Sequence, residues 1–155
     1  MNYRDFGKTG EKISALGFGC MRFPEYTENE KKFVEQEKVD EMIGIAYESG
    51  VNYFDTAFIY PGSESAIGEI FQKNNIRDKV YIATKLPPQL MRSTEILDKL
   101  FNEQLKRLRT DHIDFYLMHM MADIKVWERL KRIGIEKWIE DKKASGAIRQ
   151  IGFSY

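Results

Sequence analysis

Cysteine is almost missing from this sequence. Cys20 stands alone among 155 residues, which excludes an internal disulfide, and no companion sits at zinc-ligand spacing, so no metal site is expected and a reducing cytosol is the expected setting. Charge of one sign is missing as well: 24 lysines and arginines face 24 aspartates and glutamates. Without a basic stripe, nucleic acid and acidic membrane surfaces drop out as expected partners, leaving small molecules or proteins. Nor does any apolar run approach the roughly 20 residues of a membrane helix, and Met1 to Thr9 carries charges where a signal peptide is apolar. A soluble, cytoplasmic protein is expected. Internal repeats beyond one recurring unit, low-complexity segments and linkers are also lacking.

What is present is a steady alternation of short apolar runs and amphipathic stretches. Hydrophobic residues make up 43% of the chain, and a chain of this size removes roughly 70% of its unfolded surface from water, so residues 1–155 are expected in one domain. The runs Ile13–Gly19, Val51–Asp55, Val80–Thr84, Ile113–Met118 and Ile148–Phe153 predict strands. Between them, helical spacing predicts helices over Glu28–Ser49, Ser63–Lys73, Ser93–Leu108 and Val126–Ala144. Gly50 and Gly146 follow two of these helices as stop signals, and Ser93 or Thr94 is placed to cap another. Ahead of the first strand, Tyr3 to Phe6 and Ile13 flank Gly7-Lys8-Thr9-Gly10, a pattern for a small hairpin able to plug one end of a barrel.

Strands joined through helices run parallel, and uniformly apolar strands are covered on both faces. The class is therefore α/β, either an open doubly wound sheet or a parallel TIM-type (β/α) barrel. In such barrels chemistry sits where the strands end and the loops converge. The second run ends at Asp55, with Tyr60 in the following loop; the third ends Thr84-Lys85; the fourth ends Met118-His119; the fifth leads to Ser154. Alone, each has an ordinary explanation: a helix cap for Asp55, packing for Tyr60, solvation for Lys85. An acid, a phenol, an amine and an imidazole at equivalent positions on consecutive strands need one explanation rather than four.

Carbonyl reduction supplies it. Hydride transfer leaves an alkoxide, and a group must donate a proton as that charge develops. Tyr60 can be that donor, but a phenol with an ordinary pKa of about 10 is reluctant. A cation about 4 Å away contributes roughly 4 kcal/mol at an effective dielectric of 20, enough to favour the phenolate strongly before desolvation takes some back. Lys85 fills that role; Asp55 keeps it charged and aimed; His119 orients the substrate oxygen or helps relay the proton.

These residues carry a family resemblance across essentially the whole chain. Gly50-Val51-Asn52-Tyr53-Phe54-Asp55-Thr56-Ala57 with Tyr60, Ala83-Thr84-Lys85, and Asp114-Phe115-Tyr116-Leu117-Met118-His119 resemble the signature segments of the aldo-keto reductases. The resemblance implies an NADPH-dependent reductase of aldehydes or ketones, with Asp55, Tyr60, Lys85 and His119 as catalytic tetrad. It also implies nicotinamide contacts from Gly19, Cys20, Met21, Asp55 and Ser154, the glycines of Gly17-Phe18-Gly19-Cys20-Met21 allowing close backbone approach. Tyr155 stands where the family has asparagine. Glu64 fits a family pattern and equally fits a carboxylate at a helix start.

The family's barrel needs about 250 residues, so the resemblance implies an N-terminal portion of about five strands and four helices, preceded by the hairpin. The groups that grip the pyrophosphate and the adenosine phosphate lie beyond it, which leaves catalytic groups with little dinucleotide affinity. Two open sheet edges are a template for self-association. A piece of a longer reductase is the favoured reading, and the opening segment resembles reductases with a downstream iron–sulfur domain. Two competing readings stand beside it: a barrel aldolase using Lys85 as a Schiff base, and a non-catalytic half-barrel acting as a binding or regulatory module.

Overall fold

The computed structural model describes residues 1–155. Strands β1 (Tyr3–Asp5) and β2 (Lys12–Ser14) form the expected antiparallel hairpin, with Tyr3 opposite Ser14. Its Phe6 meets Phe115 edge-to-face at 4.8 Å, and its Glu11 accepts a hydrogen bond from the Tyr81 hydroxyl at 2.6 Å. The hairpin therefore closes the amino-terminal end of the main sheet.

The strand predicted over Ile13–Gly19 is in fact two pieces. Lys12–Ser14 belongs to the hairpin and only Phe18–Gly19 (β3) enters the main sheet. The break is local chemistry: the Ser14 hydroxyl donates to Leu16 O at 2.7 Å and bends the chain, leaving Leu16 63% exposed. Gly17 follows because a Cβ there would meet the Tyr53 ring at 3.1 Å.

The predicted helix over Glu28–Ser49 also needs correction at its start. Strands β4 (Glu25–Glu28) and β5 (Lys31–Val34) form a second hairpin, and helix α1 begins at Gln36 and ends at Glu48. Tyr26 and Phe33 are cross-strand partners stacked at 5.6 Å, a contact worth more to a ribbon than their helical spacing is to a helix. The two-residue turn is Asn29-Glu30, both at positive φ.

The remaining elements alternate as expected: β6 (Tyr53–Asp55), α2 (Ser63–Lys73), β7 (Tyr81–Leu86), α3 (Thr94–Leu108), β8 (Ile113–Met118), then α4 (Ile124–Arg132), α5 (Ile135–Ala144) and β9 (Ile148–Phe153). The single helix predicted over Val126–Ala144 is thus two, parted at Gly134, whose φ of 86° no helix interior allows. Leu130, Ile135 and Trp138 are buried as expected, while Trp127 and Ile139 pack only partly against the core.

The main sheet has the order β3-β6-β7-β8-β9, every pair parallel. Side chains alternate across it. Phe54, Ile82 and Tyr116 face the helices, where Phe54 meets Phe71 at 5.0 Å and Tyr116 meets Phe101 at 5.3 Å. Tyr53, Tyr81 and Phe115 share the other face with Phe6. The same alternation carries Asp55 and Lys85 to that inner face and turns Thr84 toward the helices. Helices α2 and α3 touch backbone to backbone at Gly68, where a Cβ would lie 2.3 Å from Arg107 O. No helix is long and apolar enough to cross a membrane.

Candidate active site

The carboxyl ends of β6, β7 and β8 bring the four predicted groups together. Asp55 is the last residue of β6, and Lys85 lies next to last in β7. The Lys85 ammonium donates to Asp55 Oδ1 at 2.5 Å and to Thr56 O at 2.7 Å. Lys85 is 5% exposed, so this ammonium has exchanged water for two oxygen acceptors. It also stands 5.2 Å from the centroid of the Tyr60 ring.

Tyr60 is held by turn hydrogen bonds, its N–H donating to Ala57 O at 3.0 Å and its carbonyl accepting from Ser63 N at 3.2 Å. Its ring meets the imidazole of His119 edge-to-face, centroids 5.9 Å apart. His119 follows β8, its N–H donating to Leu86 O at 2.9 Å. Burial foremost, then the Lys85 cation, hold its imidazole below the ordinary pKa, so it is neutral at pH 7. His119 Nδ1 is the one buried side-chain nitrogen or oxygen without a hydrogen-bond partner. A site with one unmatched polar atom, a phenol and a fixed cation fits a polar ligand with an oxygen to be recognised.

The segment expected at the nicotinamide divides. Gly19 and Met21 are exposed, whereas Cys20 is wholly buried. Its N–H donates to Asp55 O at 2.8 Å, its thiol donates to Phe18 O, and burial pushes the thiol pKa far up. Nothing lies within 4 Å of where a Gly19 Cβ would stand, so its backbone faces open space. Ser154 follows β9; its hydroxyl accepts from Met120 N at 2.9 Å, and Tyr155 beside it is 97% exposed.

Beneath the tetrad, on the helix side of β7, lies a polar layer the sequence reading did not assemble. Glu64, 1% exposed, accepts from the Thr84 hydroxyl and from Gln104 Nε2, both at 2.7 Å. Arg107 donates to its other oxygen at 3.4 Å, and the Tyr116 hydroxyl donates to Gln104 Oε1 at 2.6 Å. Burial raises the Glu64 pKa, against these donors. The signal was available: Gln104 falls in register with Leu97, Phe101 and Leu108 on the buried stripe of α3, and a polar side chain on a core stripe calls for partners. No cluster of metal-ligating side chains is present. An apolar groove of about 510 Å³ lies apart from the tetrad at the β9 edge, among Met118, Trp127, Ile151 and Phe153.

Comparison with known proteins identifies the family and the fold. A model described as the aldo/keto reductase family matches residues 15–155. A Bacillus subtilis protein named uncharacterized oxidoreductase YrpG is 33% identical over 172 residues, covering 99% of this chain and 49% of its own length. The fold is shared with a putative aldo-keto reductase from Pseudomonas aeruginosa (TM-score 0.81, 24% identity, 98% of this chain and 60% of that one). An aldo-keto reductase from Klebsiella pneumoniae, solved in complex with NADPH, superposes with a TM-score of 0.74 at 24% identity, over 94% of this chain and 47% of that one. The chain spans about half the length of the curated relatives it matches, so its five parallel strands are a partial barrel. The chain belongs to the aldo/keto reductase family, whose model matches residues 15–155.

Proposed function

We propose that this chain is the N-terminal part of a single (β/α)₈ oxidoreductase domain that reduces an aldehyde or ketone with NADPH. The observation that carries the reading is the Lys85 ammonium, fixed between Asp55 Oδ1 and the Tyr60 ring. Tyr60 gives its phenolic proton to the carbonyl oxygen as negative charge grows there. Lys85 opposes the charge left on the phenol, and Asp55 holds the ammonium in place. Neutral His119 donates a hydrogen bond to the same oxygen and fixes which face of the carbonyl is presented. NADPH, when bound, supplies the hydride. Gly19, Met21, Asp55 and Ser154 are the residues that would hold its nicotinamide end; Cys20, wholly buried with its N–H and carbonyl already hydrogen-bonded, lies behind them as support and not as a contact.

Tyr60→Phe in the complete protein tests the reading: carbonyl reduction falls by about 10²–10⁴-fold, the range of acid–base catalysis, with the fold intact. Turnover at the wild-type rate refutes it. The aldolase alternative needs a free amine, and the two short hydrogen bonds of Lys85 speak against one; borohydride trapping of substrate on Lys85 would reverse that judgement. The chain by itself is expected to bind NADPH weakly, and fluorescence quenching that gives micromolar affinity would count against that. Pairing of the open β3 and β9 edges with a second copy is an expected partner mode, and the lone buried thiol suits a cytoplasmic setting.

A further inference from the structure

We propose that Glu64 is a positioning residue that fixes the spacing between Tyr60 and Lys85, a proposal that rests on the tetrad reading above. Ionised, a carboxylate 1% exposed is costly to bury. What distinguishes Glu64 is where its bonds lead. Toward the strand, Oε1 accepts from Thr84, the residue before Lys85, and from Gln104, whose amide also reaches the Lys85 carbonyl at 3.3 Å. Toward the loop, Oε2 accepts from Arg107, whose guanidinium covers the Phe58 ring at 4.4 Å and donates to the Phe58 carbonyl at 3.4 Å. Phe58 lies two residues before Tyr60, and its N–H closes the circuit by donating to the Lys85 carbonyl at 3.4 Å.

One carboxylate thus ties the backbone that carries the cation to the backbone that carries the phenol, from the face opposite the chemistry. Glu64 itself stands in the first turn of α2, immediately after that loop. Its two oxygens fill two distances at once, and an apolar residue of the same size fills neither. The two 2.7 Å bonds toward the strand both end on Oε1, and the bond from Arg107 to Oε2 is longer at 3.4 Å, so Glu64→Gln, which keeps the Oε1 acceptor, retains most of the function and Glu64→Ala does not.

The test measures steady-state reduction by the complete protein with Glu64→Ala, Glu64→Gln and, in parallel, Tyr60→Phe, together with circular dichroism and a crystal structure of Glu64→Ala. Expected are a kcat reduced by up to about a hundredfold in Glu64→Ala, the effect of misplacing reacting groups by about 1 Å, an unchanged KM, restoration in Glu64→Gln, and a Tyr60 loop displaced relative to Lys85. Overturning results are an unchanged kcat, an equal loss in Glu64→Gln, or a Tyr60–Lys85 relation preserved in the crystal. If Glu64→Ala does not fold, Thr84→Val replaces it: a lower kcat at unchanged KM supports the role and an unchanged kcat overturns it. Full turnover by Tyr60→Phe would instead sink the tetrad reading, whatever Glu64 does.

Discussion

Lys85 touches Asp55 with its charge and Tyr60 with its field: the ammonium is 2.5 Å from a carboxylate oxygen and 5.2 Å from the centre of the phenol ring. The carboxylate side chain is 35% exposed and the lysine side chain 7%. Asp55 therefore remains solvated if its partner is removed, and Lys85 does not.

Lys85→Met follows from that asymmetry. It deletes a cation without stranding a buried anion, so turnover should fall by about 10²–10⁴-fold while the thermal midpoint stays near wild type. Steady-state kinetics and a melting curve on one preparation check both halves. A variant that melts far lower would mean the ammonium is chiefly structural.

Gly68→Ala should be among the most damaging small changes in the chain. The new methyl would lie 2.3 Å from Arg107 O and 2.6 Å from the Leu108 carbonyl carbon, and backbone has no rotamer with which to yield. Overpacking of this kind costs about 1–3 kcal/mol or more, and in a domain of this size each kcal/mol lowers Tm by roughly 2–4 °C. An unchanged Tm would place α2 and α3 further apart than described.

His119 gives stability a pH dependence of defined sign. Its folded pKa lies below the ordinary 6.5 because burial, then Lys85, disfavours the imidazolium. The unfolded state consequently binds more protons as pH falls through 6.5, and stability that is complete above that value is lost below it, down to the folded pKa. Melting curves at about pH 7 and about pH 5 should show a larger fall for wild type than for His119→Gln. Equal falls would remove His119 from the account.

A stabilising change is available at the second hairpin. Glu30 occupies a left-handed conformation at φ 63°, next to Asn29 at 49°. Glu30→Gly makes the turn Asn-Gly, the pair that suits it best, and relief of the strained backbone should raise stability by about 0.5–1 kcal/mol. Urea denaturation measures it; a drop would mean that the Glu30 side chain makes contacts worth more than the strain.

The parallel alternation was legible because buried strands write themselves as apolar runs and their last residues as polar breaks. That is how Asp55, Lys85 and His119 stood out, and why Tyr60, one loop away, could be added by chemistry. What escaped was decided by competition between periods. Phe33 fits the spacing of the helix that follows as well as a ribbon, and only its pairing with Tyr26 broke the tie. Gly134 sits inside an otherwise continuous helical stripe, so its break was visible as a residue but not as an event. The layer around Glu64 was hidden for another reason: its members lie on α2, β7 and α3, and no window of sequence contains them.

Cys20, the chain's single thiol, is sealed at the seam between β3 and β6, where its own amide holds the Asp55 carbonyl. It gives the molecule a built-in reporter without engineering. A maleimide dye cannot reach the sulfur while that seam is shut, so the labelling rate under native conditions counts how often the floor beneath the tetrad comes apart.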